Sequence, residues 1–102
     1  MMAKLFIAEY ANFAGAPNHL IQAPLEPPQA EQVIDFTSGP AVSNVFSQYT
    51  RLIRLVCDTP CSVSIGVNPT ANADSGRMPA DTVEFRGIPE GSAFKISAIS
   101  NV

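Results

Sequence analysis

The two cysteines of the chain, Cys57 and Cys61, carry its most reactive side chains and flank the turn signal Asp58-Thr59-Pro60. If they lie opposite each other across a hairpin, their Cα atoms come within the roughly 4.4–6.8 Å that a disulfide requires. A protein made in the reducing cytosol normally keeps its thiols, and cysteine also packs well as a small buried residue. A C-x3-C pair without further ligands is poor evidence for zinc, since structural zinc sites use four ligands. We therefore expect free thiols, with a disulfide formed on exposure to an oxidant as the alternative, and no metal.

The other residues that could do chemistry do not form a recognisable active site. His19 is the only histidine, and no acid or nucleophile stands at a spacing that would orient it as a general base. No glycine-rich loop of the kind that binds phosphate follows a strand. The scattered carboxylates suggest no acid–base pair: Asp35, Asp58, Asp74, Asp81, Glu84 and Glu90. We expect no catalytic residues and no cofactor, and we interpret the chain as a protein that is not an enzyme.

Composition narrows the classes of partner. The 102 residues suffice for one domain. Charged residues make up only 15%, below the usual quarter, which favours a surface partly covered by neighbours over a plain Ser/Thr/Asn surface. The net charge of −3 with six basic residues argues against nucleic acid. No apolar run approaches the roughly 18–20 residues that cross a bilayer, and Glu9 interrupts the N-terminal run before a signal-peptide core, so we expect synthesis in the cytoplasm and no membrane partner.

The elements that would position these residues are short strands with alternating polar and apolar side chains. Such alternation is typical of antiparallel sheets with one buried face. The fold class that we predict is all-β: a small antiparallel β-sandwich or an incomplete, jelly-roll-like barrel. Tyr49–Cys57, the most hydrophobic run, should be a central strand forming a hairpin with Ser62–Val67, and Ile53, Leu55 and Val63 should lie in the core. The other predicted strands are Lys4–Tyr10, Glu31–Phe36, Thr82–Arg86 and Ala93–Ile99, while Ala41–Gln48 fits either a helical turn or a ragged strand.

The stretch Ala11–Gln29 differs from the rest because four of its residues are proline. Proline removes a ladder donor, so this stretch is predicted to be an irregular, extended arm rather than a central strand or a long helix. We place a boundary at residue 30, between an N-terminal strand with its arm (1–30) and the sandwich (31–102). The arm either docks on a partner or folds onto its own core as a surface loop. Its candidate partner-binding residues are Phe13, Leu20, Ile21 and Leu25.

The second half of the chain carries an ordered series of motifs. Ile53–Gly66 contains a hydrophobic strand, a Cys-bearing turn and a second strand, and Val67-Asn68-Pro69-Thr70-Ala71 follows. Met78-Pro79-Ala80-Asp81 and the stretch 83–91, which ends in Pro89-Glu90-Gly91, complete the series. This series resembles a group of small structural proteins of tailed bacteriophages and prophages. The resemblance covers roughly Arg51–Val102.

The resemblance implies a structural role in a virion. We expect a decoration or cement protein that binds the outside of an assembled capsid, clamps neighbouring subunits of the major capsid protein, and forms a homo-oligomer, with a trimer favoured. The expected location is the capsid surface. The alternatives are a head–tail or tail component, or a host-surface or carbohydrate-binding module. Carbohydrate-binding modules typically use exposed aromatic residues. The chain has no tryptophan and only two tyrosines, which disfavours that alternative.

Overall fold

A computed structural model describes residues 3–16 and 19–101, with side chains for residues 3–12 and 23–101. All regular elements in this part of the chain are strands. In chain order they are β1 (Lys4–Tyr10), β2 (Phe13–Ala16), β3 (His19–Pro24), β4 (Ala30–Asp35), β5 (Ala41–Val42), β6 (Leu52–Cys57), β7 (Cys61–Gly66), β8 (Gly76–Met78), β9 (Glu84–Gly87) and β10 (Lys95–Ser100). The predicted all-β class is therefore confirmed.

The strands form two four-stranded antiparallel sheets and a separate hairpin. The first sheet has the order β4-β1-β6-β9 and the second sheet the order β5-β10-β7-β8. In the first sheet Phe6 pairs with Val33 on one side and Val56 on the other, and Ala8 pairs with Glu31 and Arg54 in the same way. The central position predicted for the run ending at Cys57 is confirmed, since β6 lies between β1 and β9.

The core lies between the two sheets, as alternation predicts for a sandwich. Each strand presents every second side chain to the core, and the large aliphatic residues that the first sheet contributes are Leu5, Ile7, Ile34, Ile53 and Leu55. The predicted core residues Ile53, Leu55 and Val63 are all buried. The remaining members of the buried apolar cluster include Leu5, Ile7, Ile34, Phe36, Phe46, Cys57, Cys61, Met78, Ile88, Ile96 and Ala98.

The predicted hairpin between β6 and β7 is wrong, because these two strands belong to different sheets. Asp58 still pairs with β1: its backbone N–H donates to the carbonyl of Lys4 at 3.1 Å, and its Oδ1 accepts from the Lys4 N–H at 2.7 Å. Two residues later, the carbonyl of Pro60 already accepts from the Asn101 N–H, next to β10 of the second sheet. The chain thus crosses the core within Asp58–Pro60. The same turn residues serve a hairpin or a crossing, so composition alone does not distinguish them.

The proline-rich stretch is more regular than predicted. β2 and β3 pair antiparallel with each other, with a register shift between Phe13 and Gly15, and with neither four-stranded sheet. We call residues 11–29 the hairpin arm. Pro24 ends β3, and Pro27 and Pro28 follow it, so these prolines lie where no ladder donor is needed. The boundary predicted at residue 30 stays a prediction, and β1, on its N-terminal side, is an inner strand of the first sheet.

Candidate functional site: the hairpin arm and the outer face of the first sheet

The structure places the four predicted partner-binding residues on the hairpin arm. Phe13 lies on β2, and Leu20 and Ile21 lie on β3; their side chains fall outside the described residues. The Leu25 side chain is 52% exposed, and its backbone N–H donates to the Asn12 carbonyl at 2.8 Å. The arm therefore leaves the sandwich as a paired ladder, with one apolar side chain open to solvent at its base.

The base of the arm is fixed to the first sheet by polar contacts. The Tyr10 hydroxyl, at the end of β1, donates to Oε2 of Glu26 at 2.7 Å, and the Gln29 N–H donates to the Glu9 carbonyl at 2.7 Å. Tyr10 is buried, and burial together with the Glu26 carboxylate raises the pKa of its hydroxyl. The end of β1 is thus bonded to the residues that precede β4, and these bonds fix both ends of the arm on the first sheet.

The outer face of the first sheet is the second feature that could bind a partner. We define it by the outward side chains of Phe6, Ala8, Val33, Val56 and Phe85. Val33 is 54% exposed and its cross-strand partner Phe6 44%, and Phe85 on the edge strand β9 is 50% exposed. Isolated exposed apolar residues are ordinary on a protein surface, whereas a contiguous group of them marks an interaction site.

A hollow of about 510 Å³ opens on this face above Ala8. Ala8 has the shortest side chain of its row, so the larger side chains around it form the walls. Phe6, Val33 and Val56 line one side. Glu31 and Arg54 stand on either side of Ala8 with opposite charges. The hollow is therefore apolar at its floor and carries no net charge at its rim.

The second sheet does not offer a comparable face, because the chain covers it with its own loop. The Ala71 N–H donates to Oγ of the buried Ser97 at 3.0 Å, and the Asn101 side-chain amide donates to Oγ of Ser62 at 2.7 Å and to the Ala73 carbonyl at 3.2 Å. These bonds hold residues 71–73 over the outward serines of β7 and β10. The outer face of the second sheet is therefore partly covered, with Val42 still exposed at its edge, whereas the outer face of the first sheet is apolar and open.

Cys57 is the last residue of β6 and Cys61 is the first residue of β7, on either side of the crossing. Both cysteines are free and buried. Burial raises the pKa of Cys57, and burial with the adjacent Cys57 thiol raises the pKa of Cys61 to about 12. The Cys57 thiol also donates to the Pro79 carbonyl at 3.4 Å. A protonated, buried thiol is a poor nucleophile and a poor metal ligand. The predicted free thiols are thus what the structure contains, and they serve as core residues.

Glu9 is the functional-looking residue that sequence reasoning did not single out. It is only 1% exposed, and its Oε1 accepts from the Ser47 N–H and from the Thr50 hydroxyl, both at 2.8 Å. Its Oε2 accepts from the Gln32 side-chain amide at 3.1 Å. These donors come from β4 and from the segment before β6, so the carboxylate ties three parts of the chain together. The signal in the sequence was a carboxylate on the same face as Leu5 and Ile7.

Three further carboxylates, those of Asp35, Glu84 and Glu90, make local contacts. The hydroxyl and N–H of Thr37 donate to Asp35 and lower the pKa of that exposed carboxyl. Glu84 and Glu90 pair with Arg86 and Arg51. Within residues 3–16 and 19–101, no group of three or more His, Cys, Asp or Glu side chains could hold a metal ion, and no helix is long and apolar enough to span a membrane. His19 lies at the start of β3, and its side chain falls outside the described residues.

Comparisons with protein-family models, with curated proteins and with solved structures find no match for this chain. Its functional interpretation therefore depends on the motif series of the second half and on the surfaces described above.

Proposed function

We propose that this protein is a structural virion protein of a tailed phage, which binds the outside of the capsid as a decoration or cement protein. The motif series from Ile53 to Gly91 is what suggests a virion protein. The observation that carries the mode of binding is the hairpin arm, a paired extension that is uncharged over residues 11–25 and follows an inner strand of the first sheet. The chemistry of the site suits binding rather than catalysis.

The arm has the composition of a segment that an apolar groove would accept. Residues 11–25 contain no Asp, Glu, Lys or Arg, whereas the sandwich around them is acidic overall. An uncharged segment loses little hydration when it is buried against a partner, in contrast to a charged one. Phe13, Leu20, Ile21 and Leu25 supply the apolar area, and each buried large side chain stabilises a complex by about 1.5–3 kcal/mol before the costs of association.

The attachment of the arm makes it suitable as a clamp. A hairpin held by its own ladder has less conformational freedom to lose on docking than a free chain of the same length. Its base is held by the hydrogen bond between Tyr10 and Glu26, and Tyr10 belongs to β1, an inner strand of the first sheet. A pull on the arm is therefore resisted by the whole sheet. An arm inserted between neighbouring subunits of the major capsid protein would then link them through a rigid body.

The test is co-sedimentation with capsids that lack this protein. Leu25→Asp and the pair Leu20→Asp with Ile21→Asp place charges on the arm, and we expect each to reduce binding at least tenfold. Val67→Asp is the matched control, because Val67 is 62% exposed and follows β7, a strand of the second sheet that does not pair with the arm. All variants should melt like the wild type, since the substituted positions are exposed or lie outside the sandwich core.

A second variant removes the arm without disturbing β1. Asn12 and Leu25 are hydrogen-bonded across the ladder, so an Asn-Gly turn that replaces residues 13–24 closes the hairpin at its base. We expect this variant to fold and not to bind capsids. Capsid binding by the arm-less protein at wild-type affinity would contradict the role of the arm. Failure of the wild-type protein to bind any such capsid would contradict the decoration function itself.

A further inference from the structure

We propose that the outer face of the first sheet pairs with the same face of a second copy of this chain, with Phe6 of each copy filling the hollow above Ala8 of the other. This contact is distinct from capsid binding by the hairpin arm. It rests on the shape of the face, on its charges and on the position of the arm base.

Shape is the first argument. Phe6 and Ala8 are outward residues of the same strand, two positions apart, so a protruding ring lies next to a hollow of about 510 Å³. A twofold axis that crosses β1 over Ile7 stacks two copies of the strand in antiparallel fashion. Position 6 of one copy then faces position 8 of the other, and the reverse contact follows from the symmetry. Twofold interfaces require this kind of self-complementary surface.

The neighbouring strands fit the same operation. Val33 and Val56 share a row with Phe6, and Glu31 and Arg54 share a row with Ala8. The rotation places each valine against the aliphatic stem of a charged residue, which is the part of such a side chain that packs on apolar surface. The inserted ring also lies next to the Arg54 guanidinium of the second copy, a favourable cation–π arrangement.

Charge is the second argument. The rim of the hollow is neutral because Glu31 and Arg54 cancel, so two copies can approach despite the net charge of −3 on each chain. The same rotation brings Lys4, at the start of β1, to the level of Tyr10 and Glu26 in the second copy. Because Lys4 lies between Asp35 and Asp58 of its own chain, the two ends of the contact add no net attraction, and the neutral rim of the hollow is the favourable feature.

The position of the arm base is the third argument. Residues 24–28 lie over the Tyr10 end of β1, as the Tyr10–Glu26 hydrogen bond requires. In a parallel stack of two faces the two arm bases would collide. In the antiparallel stack they lie at opposite ends, and each closes one side of the interface.

The expected strength follows from the size of the face. Four strands about 4.8 Å apart and two rows of outward side chains make a small footprint, well below the roughly 800 Å² per partner of a standard stable interface. We therefore expect a weak, concentration-dependent dimer of the free protein, with a Kd between about 10 µM and about 1 mM.

The test is sedimentation equilibrium of the purified full-length chain, without capsids. Phe6→Ala removes the protruding ring, Ala8→Phe fills the hollow, and each should weaken dimerisation at least tenfold. The double variant carrying both substitutions exchanges ring and hollow along the strand and should recover most of the wild-type affinity. Val67→Ala is the control and should leave the Kd unchanged, since Val67 lies outside this face.

Three results would overturn the proposal. One is a wild-type chain that stays monomeric up to about 1 mM. Another is a dimer that neither single variant weakens. The third is a double variant that is no better than the worse single variant, although thermal melting shows that all chains are folded. Because no capsid is present, failure here leaves the decoration function unaffected, and failure of capsid binding leaves this result unaffected.

Discussion

Replacement of Glu9 is the perturbation whose effect the structure defines most closely. The buried carboxylate accepts hydrogen bonds from the Ser47 N–H, the Thr50 hydroxyl and the Gln32 amide, at 2.8, 2.8 and 3.1 Å. Glu9→Ala leaves the first two donors without their acceptor. Each buried unsatisfied group costs about 1–3 kcal/mol, so the two together should lower the free energy of unfolding by about 2–6 kcal/mol. For a domain of this size the melting temperature should fall by at least about 8 °C.

Glu9→Gln separates hydrogen bonding from charge. The amide oxygen can still accept from Ser47 and Thr50, but the amide nitrogen then faces the amide nitrogen of Gln32. Gln32 cannot rotate without loss, because its Oε1 accepts from the Asn44 N–H at 2.9 Å. One hydrogen bond is lost and two become neutral, which predicts a loss of about 1–2 kcal/mol.

Urea unfolding measures both effects, through a lower midpoint at an unchanged slope. Glu31→Ala is the matched control, since this glutamate is exposed on the neighbouring strand and its loss should change stability by less than about 0.5 kcal/mol. A Glu9→Ala variant as stable as the control would contradict this prediction, because the three hydrogen bonds to the buried carboxylate would then contribute nothing to stability. Equal losses of stability for the Ala and Gln variants would show that the acceptor oxygen retained by glutamine does not contribute.

Three further predictions concern the core and its titratable groups. Leu55→Asp should yield an unfolded chain by circular dichroism, because an unpaired buried charge exceeds the stability of a small domain, whereas Arg54→Asp, one residue earlier and exposed, should fold; a folded Leu55→Asp protein would show that the core is wrongly assigned. The thiols of Cys57 and Cys61 should react with a thiol reagent at neutral pH only as fast as the chain unfolds, and fast labelling of folded protein would contradict their burial. The pKa of Tyr10 is raised in the fold, so stability present below the usual tyrosine pKa of about 10 should decline as pH rises through the higher folded value; Tyr10→Phe should flatten that part of the pH profile, and an unchanged profile would count against the raised pKa.

Alternation of polar and apolar residues predicted several of the strands, because a strand with one buried face needs apolar side chains at every second position. Lys4–Tyr10 is a strand with the predicted bounds, and Leu5 and Ile7 face the core as expected. The central residues of β4, β6 and β7 were also predicted as strands, for the same reason. Each of these strands has one face against the other sheet, and the chemical contrast between its two faces is visible in a single sequence.

Which strands pair with each other could not be predicted from alternation. The crossing at Asp58–Pro60 depends on hydrogen bonds to Lys4 and Asn101, more than forty residues away on either side. The Glu9 site likewise depends on Ser47 and Thr50, brought close only by the sheet. Contacts of this kind are set by topology, whereas a local pattern carries only the preference of each residue for a strand or a turn.

The candidate site was half predicted. The prolines and large apolar side chains of Ala11–Gln29 predicted the arm, but the same prolines concealed its hairpin. The open face of the first sheet was not predicted, because β7 and β1 alternate alike. The difference between them is that residues 71–73 cover one outer face, and nothing in the sequence of those strands says which face a distant loop will cover.

The central claim is the proposal that this chain is a capsid decoration protein of a tailed phage, and its most direct test is quantitative mass spectrometry of virions purified from the host in which the chain is encoded. The decoration function predicts that the protein is present at a copy number comparable with that of the major capsid protein, and that stripping it from the surface leaves the capsid intact but less stable to heating. A copy number like that of a neck or tail ring would place it elsewhere in the virion. Its absence from the particles would contradict every virion role.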